Sequence, residues 1–316
     1  MTSDGMMIFA GSASPNLTRN ICHYLGVRQN QGEVIRFSEG NLFVRINENV
    51  RGRRVYLVQS TGYPVNDNFM ELLFWLDAFR RASAESITAI VPYFSYAKGD
   101  KKDEPRVAIR ARVCADAIES AGADRVITLD IHAPQIQGFF KVPVDDLYAL
   151  PIFCKAIREM KLPDLMVVSP DAGFAKKARL FASALNCPLA IGDKERVGHD
   201  EKAEVLEIIG HVEGRTCLVV DDFTISGGTL CEVAHKLMEK GARAVHVAVT
   251  HGIFTGGAIT KIENSPISSV LVSDSVELPG TTLGQKIKTV SVAPLLGEAI
   301  RRTHNRESIS VLFKNP

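Results

Sequence analysis

No segment of this 316-residue chain approaches the roughly 18 consecutive apolar residues that a membrane-crossing helix requires. The start of the chain also lacks the basic stretch and apolar core of a secretory leader. No CxxC pair occurs among Cys22, Cys114, Cys154, Cys187, Cys217 and Cys231, which speaks against a structural zinc site and against a disulfide framework. Most of these thiols lie in apolar or helical surroundings and read as small buried residues. An excess of one charge is missing too: 37 Lys and Arg against 36 Asp and Glu leave a net charge of +1. There is thus no bulk electrostatic case for nucleic acid or for an acidic membrane surface. No linker rich in Pro, Gly or Ser marks a division. What is present is a soluble globular composition, 46% apolar and 23% charged. It is long enough for two domains and most simply cytoplasmic.

Short apolar runs recur at Met7 to Ala10, Val55 to Gln59, Ile87 to Pro92, Arg125 to Asp130, Leu165 to Ser169, Thr216 to Val220, Ala244 to Thr250 and Ser269 to Val272. Helical stretches alternate with them. That alternation predicts βαβ units and an α/β fold whose mostly parallel sheets are flanked by helices. One plan occurs twice. RRVYLVQST precedes a helix over Asn68 to Ala84 and the strand SITAIVPYF, while RTCLVVDDFTISGGT precedes a helix over Leu230 to Lys240 and the strand ARAVHVAVTHGIF. The expectation is a duplicated domain, residues 1–148 and 149–316, divided near Tyr148 to Pro151. Only the second copy keeps acids and glycines in its loop.

That loop lies within Leu218 to Leu230. Cys217 to Val220 reads as a buried strand, with Asp221 and Asp222 at its carboxyl end, where paired acids suit sugar hydroxyls and Mg²⁺. Gly227 and Gly228 allow a tight turn that brings N–H groups to an anion, and Ser226 and Thr229 add hydroxyl donors. A helix starting near Leu230 would set a phosphate at its N-terminus. An ordinary strand-to-helix turn has the same composition, so the motif alone leaves both readings open.

Further acids stand at strand ends: Asp130 and His132 in LDIHAPQIQGFF, and Asp171 in VSPDAG. Ligands of open sheets collect there. His132 by itself reads as a structural histidine, and carboxylates with phosphate oxygens make the better Mg²⁺ shell. The charged run Ile191 to Lys202 holds Lys194 and Arg196 between two apolar stretches. It reads either as a solvated loop or as a lid whose cations neutralise charge on a transferred phosphoryl group. The run Tyr96 to Arg106 includes Lys98 and Asp100, and could meet a triphosphate or face solvent.

Taken in order, RFSEGN, RINENVRG, VQST, NDNFMELL, DAFRRASA, PYFSYAKGD, LDIHAPQIQGFF, VSPDAG, DKERVG, VVDDFTISGGTL, VTHGIF and ESISVLF resemble the ribose-phosphate pyrophosphokinase family along almost the whole chain, from Met7 to Phe313. The resemblance implies two tandem phosphoribosyltransferase-like domains, with a last helix able to pack back on the first. It implies transfer of the pyrophosphoryl group of Mg-ATP to the anomeric hydroxyl of ribose 5-phosphate. By position, His132 and Asp171 match the family's Mg²⁺ ligands, and Lys194 and Arg196 the basic pair of its catalytic loop. Asp221 and Asp222 match the ribose-holding carboxylates, and Ser226, Gly227, Gly228 and Thr229 the 5-phosphate loop. Phe37, Glu39 and Asn41, with Lys98, Asp100 and His132, match the ATP site, the first three reaching a neighbouring subunit. An oligomer built of dimers, often hexameric in this family, follows, with no nucleic-acid or membrane partner.

The departures are local. Ile225 and Ser226 stand where the family usually has Asp and Thr, Glu39 and Asn41 where Asp and Glu are common, and Lys98-Gly99 where Arg-Gln is common. A catalytically silent regulatory homologue stays open through Ile225, although Lys194 and Arg196 argue against it. A phosphoribosyltransferase would be a single domain with no use for RFSEGN or DIHAPQIQGFF.

Overall fold

A computed structural model describes residues 5–195, 204–278, 280 and 282–313. The chain divides into two compact units: residues 1–148 with 275–277 and 291–313, and residues 149–274 with 278–290 and 314–316.

In the first unit β1 (Met6–Ala10) leads to α1 (Pro15–Leu25), a hairpin of β2 (Gly32–Arg36) and β3 (Leu42–Ile46), and β4 (Arg54–Val58). Then follow α2 (Val65–Arg81), β5 (Ser86–Val91), α3 (Arg110–Ala121), β6 (Arg125–Leu129) and β7 (Val144–Leu147). The sheet order is β1-β4-β5-β6-β7, and every pairing in it is parallel. Its inner strands β4, β5 and β6 are largely apolar runs because both faces are covered, whereas the edge strand β7 carries Asp145 and Asp146. α2 begins at Val65, earlier than the expected Asn68, because Pro64 supplies the extended residue that starts it. Its face carries Leu72, Trp75, Leu76 and Phe79, all at most 1% exposed.

In the second unit α4 (Leu150–Met160), β8 (Leu165–Ser169), α5 (Ala175–Leu185), β9 (Leu189–Glu195) and β10 (Glu204–Ile209) precede β11 (Thr216–Thr224). After it come α6 (Gly228–Glu239), β12 (Ala244–Gly252), α7 (Ala258–Glu263), β13 (Ile267–Ser273) and β14 (Ile287–Val290). The order is β10-β9-β8-β11-β12-β13-β14; only the edge strand β10 is antiparallel to its neighbour. α6 packs Leu230, Val233, Ala234 and Leu237 into the core beside Val219 and Val247, the spacing of a single helical face. Burial of each large aliphatic side chain contributes about 1.5–3 kcal/mol.

α8 (Ala293–His304) belongs to the first unit, where its last carbonyl, on His304, accepts from Arg54 Nη1 at 2.8 Å. Residues 275–277 also join that unit. Glu277 accepts from the Leu17 N–H at 2.7 Å and from Asn16 at 2.8 Å, so it caps α1 from a distant part of the chain. The nearer candidate, Ser14, is occupied: its hydroxyl accepts from the Ser60 N–H at 3.0 Å. Among the described residues no helix is long and apolar enough to cross a membrane.

Trp75, the only tryptophan, stacks on Phe79 with ring centroids 5.4 Å apart, and Phe79 meets Phe9 at 4.8 Å. Phe79→Ala should therefore destabilise the first unit by about 3–5 kcal/mol. Urea unfolding followed by Trp75 fluorescence measures it, and an unchanged midpoint would mean that the site repacks without a cavity.

Candidate active site

β11 extends past Val220, so Asp221 and Asp222 are strand residues and do not lie beyond its end. The cause is β12, which continues to Gly252 and pairs Asp221 with Val249 and Thr224 with Gly252. Asp222 is 5% exposed. Asp221 receives the N–H of Asp222 at 2.9 Å, and Asp222 that of Phe223 at 2.9 Å. The Asp221 carboxyl is held well above the usual carboxylate range, first by burial, then by the charge and hydrogen bond of Asp222 and by the charge of Asp171. The charge of Asp171 thus reaches Asp221. Asp171, just past β8, is itself shaped by the turn: its carboxylate accepts the Phe174 N–H at 2.9 Å and its carbonyl the Ser169 hydroxyl at 2.7 Å.

The turn after β11 is braced from the next loop. Ile253 N–H donates to Thr224 O and Thr255 N–H to Ile225 O, both at 2.9 Å. Ile225 therefore fills a place whose backbone is held from outside. Gly227 has φ +73°, which favours glycine, and a Cβ there would come within 3.4 Å of the Ala258 carbonyl. Gly227 starts α6 at Gly228, two residues before the expected start, with no side-chain cap and no acid in the first turn. The first N–H groups of that turn have no side-chain cap, which would leave them open to an anion, while Ser226 and Thr229 stand half-buried beside them. Lys194 lies on β9, opposite Val205 of β10. Arg196 lies outside the described residues.

In the first unit β5 and β6 end in two short 3₁₀ turns, Ser95–Gly99 and Pro134–Phe139. Gln135 Nε2 donates to Asp100 Oδ2 at 2.8 Å and ties them together, a role that sequence reasoning missed because nothing local says which turn an amide faces. Thr61 Oγ1 receives the Ser95 N–H at 2.9 Å. Lys98 and His132 are exposed and Asp100 is half-buried. Asp130, in a left-handed conformation at φ 43°, ends β6 and turns the chain toward His132. Phe37, Glu39 and Asn41 occupy the tip of the β2–β3 hairpin, closed by Phe37 N–H to Asn41 O at 2.9 Å, all of them exposed. Among the thiols, burial pushes Cys22, Cys114, Cys154 and Cys217 up to about 11, leaving them protonated at neutral pH and poor nucleophiles.

Parallel sheets flanked by helices, in two compact units, make this a protein of the α/β class. Family profiles sharpen that. Residues 6–122 match the N-terminal domain of ribose phosphate pyrophosphokinase, and residues 197–314 match the phosphoribosyl synthetase-associated domain. The ribose-phosphate pyrophosphokinase of Rhizobium meliloti (strain 1021) is 47% identical over 98% of this chain and 100% of its own length. That of Caldanaerobacter subterraneus subsp. tengcongensis is 46% identical, over 98% of both chains. The crystal structure of phosphoribosylpyrophosphate synthetase from Mycobacterium smegmatis superposes with a TM-score of 0.90 at 36% identity, covering 96% of this chain and 100% of that one. The chain belongs to the ribose-phosphate pyrophosphokinase family.

The raised affinity of Asp221 for a proton has a stability consequence. Because the folded state holds that proton more tightly than the unfolded chain, its contribution is complete below the ordinary carboxylate value of about 4 and is lost as pH rises through the folded value. Asp221→Asn should therefore raise the melting temperature of the ligand-free protein at neutral and alkaline pH, and the gain should shrink toward pH 4. A gain that does not vary with pH would mean that Asp221 carries no buried charge.

Proposed function

We propose that this chain transfers an intact pyrophosphoryl group from Mg-ATP to the anomeric hydroxyl of ribose 5-phosphate, giving 5-phosphoribosyl 1-pyrophosphate and AMP. Its full-length likeness to ribose-phosphate pyrophosphokinases carries the reading, and the acid pair beside the glycine turn supports it chemically. The hydroxyl oxygen bonds to the β-phosphorus while the bond from that phosphorus to the α,β-bridging oxygen breaks. AMP leaves with the bonding pair, and the hydroxyl gives up its proton.

Each residue's task in this reading follows from its chemistry. Asp221 and Asp222 accept hydrogen bonds from the ribose hydroxyls, which relieves two crowded carboxylates and orients the sugar. The Ser226, Gly227, Gly228 and Thr229 turn and the first N–H groups of α6 bind the 5-phosphate. Lys194 and Arg196 neutralise the charge that develops on the transferred group. Lys98, Asp100 and His132 belong to the nucleotide site, and Phe37, Glu39 and Asn41 to its adenine end across a subunit boundary. Phe37 and Phe43, 44% and 40% exposed with centroids 6.4 Å apart, suit a hairpin covered by a second copy. The working form is then a homo-oligomer built of dimers, up to a hexamer, acting in the cytoplasm.

The donor set fits Mg²⁺. Asp171 offers hard carboxylate oxygens whose charge reaches Asp221, a repulsion that a divalent cation would relieve, and His132 is the nitrogen donor that the family resemblance adds. Among the described residues no group of three or more His, Cys, Asp or Glu gathers to hold an ion. That suits an ion held by one or two protein ligands, with phosphate oxygens and water completing the shell. Bound there, it would screen the charge of the phosphate chain.

The purified chain incubated with Mg²⁺, ATP and ribose 5-phosphate should form AMP in step with the sugar phosphate consumed. ADP in its place would mean simple kinase chemistry, and no nucleotide product would favour the silent homologue. Lys194→Ala should cut turnover by about a thousandfold or more with substrate binding largely kept; unchanged turnover would remove Lys194 from the mechanism.

A further inference from the structure

We propose that Arg110 is a further substrate-contacting residue, whose guanidinium binds the phosphate chain of the nucleoside triphosphate from a seat that Gly99 opens for it. The inference rests on the activity proposed above and concerns the donor side of that site.

Gly99 closes the 3₁₀ turn that carries Lys98. Its backbone lies outside the positive-φ region, so conformation does not call for glycine there. Space does: a Cβ on Gly99 would stand 2.7 Å from both Cβ and Nε of Arg110. The Arg110 side chain lies across the turn, and only a residue without a side chain admits it. Gly99 is buried as a result, while Arg110 stays exposed.

The guanidinium acts on the Tyr96 hydroxyl through its charge alone. Among the described residues the Arg110 guanidinium forms no ion pair or hydrogen bond, whereas Arg112, two residues on, is paired with Asp116 at 2.8 Å. Arg110 also opens α3, whose first turn contains no acid. A helix start is partly positive and disfavours a cation, so the local structure is strained electrostatically until an anion arrives. The surroundings suit such an anion. The Ser95–Gly99 turn follows β5 at the carboxyl edge of a parallel sheet, where ligands of open sheets bind. It carries the exposed Lys98 and is tied through Asp100 and Gln135 to the turn that follows His132.

The chemistry of the two cations separates their tasks. An ammonium such as Lys98 is a point charge, whereas a guanidinium presents a planar fork that meets two phosphate oxygens at once. Arg110 thus supplies beside the turn the bidentate donor that Lys98 cannot supply within it.

The test uses the full-length chain with Mg²⁺ and compares wild type with Arg110→Ala, Arg110→Lys, Gly99→Ala and the Gly99→Ala/Arg110→Ala pair. Arg110→Ala should raise KM for ATP and the inhibition constant of inorganic tripolyphosphate together, each about tenfold or more, as expected for loss of a charge-assisted pair. KM for ribose 5-phosphate and the melting temperature should stay as in wild type. Arg110→Lys should recover part of the loss. Gly99→Ala, which displaces the guanidinium, should weaken ATP similarly, and the double variant should be no worse than Arg110→Ala. An unchanged KM for ATP in Arg110→Ala overturns the proposal, as does a fall in melting temperature with both KM values rising together. A weaker ATP with unchanged tripolyphosphate inhibition overturns the phosphate assignment. If wild type makes no AMP, the proposed activity fails on its own; calorimetric titration of tripolyphosphate into wild type and Arg110→Ala then still decides Arg110, equal affinities overturning it.

Discussion

Asp221 and Asp222 stand next to each other near the carboxyl end of β11 and feel the charge of Asp171, with burial the main cause of the reluctance of Asp221 to ionise. Like charges in poor solvent repel, and a loose chain would move them apart. The surrounding frame is accordingly stiff and apolar: β8, β11 and β12 run through the core with Val168, Val219 and Val247 at 0% exposure. The cluster costs the ligand-free protein stability, and hydroxyl donors or a cation would recover it.

Ser226, Lys98, Asp100 and His132 stand in turns near the ends of strands, an arrangement that combines freedom of sequence with precision of position. The glycine turn keeps its shape through main-chain bonds from Ile253 and Thr255, which lets Ile225 occupy the loop without altering its path. The nucleotide side uses the other available device, a side-chain bridge, with Gln135 tying the turn after β6 to Asp100. In both units the candidate loop is held by a neighbour distant in sequence. A substitution at Gln135, whose side chain makes the bridge, would therefore act on that turn through its geometry, whereas the main-chain bond from Thr255 survives a change of side chain.

Much of the fold was legible because each central strand is a short apolar run of one type. LMVVS, TCLVV and AVHVAV announce buried parallel strands wherever they occur. The misreadings share a cause. Acids after an apolar run look like its end, yet β11 continues through Asp221 and Asp222 because β12 runs on beside it to Gly252. Charge also hid β9 and β10: Asp193 and Glu195 lie past the stretch of β9 that pairs with β8, and Glu204 is on the edge strand β10, so neither run is paired on both sides there. α6 began early because Gly227, in its left-handed conformation, starts the helix at Gly228.

The sequence by itself determined the α/β class, the repeated plan, the residue types able to hold a sugar phosphate and a metal-bound triphosphate, and the family. All of these are encoded in periodicity and in ordered local motifs, which are properties of neighbours along the chain. Only the tertiary structure decided that Asp171 shares its field with Asp221, that Glu277 caps α1, that Thr255 braces Ile225, and that Gly99 is small for the sake of Arg110. Each of these joins residues far enough apart that no local pattern pairs them; the pairing comes from strand order and register, which are settled when the cores close.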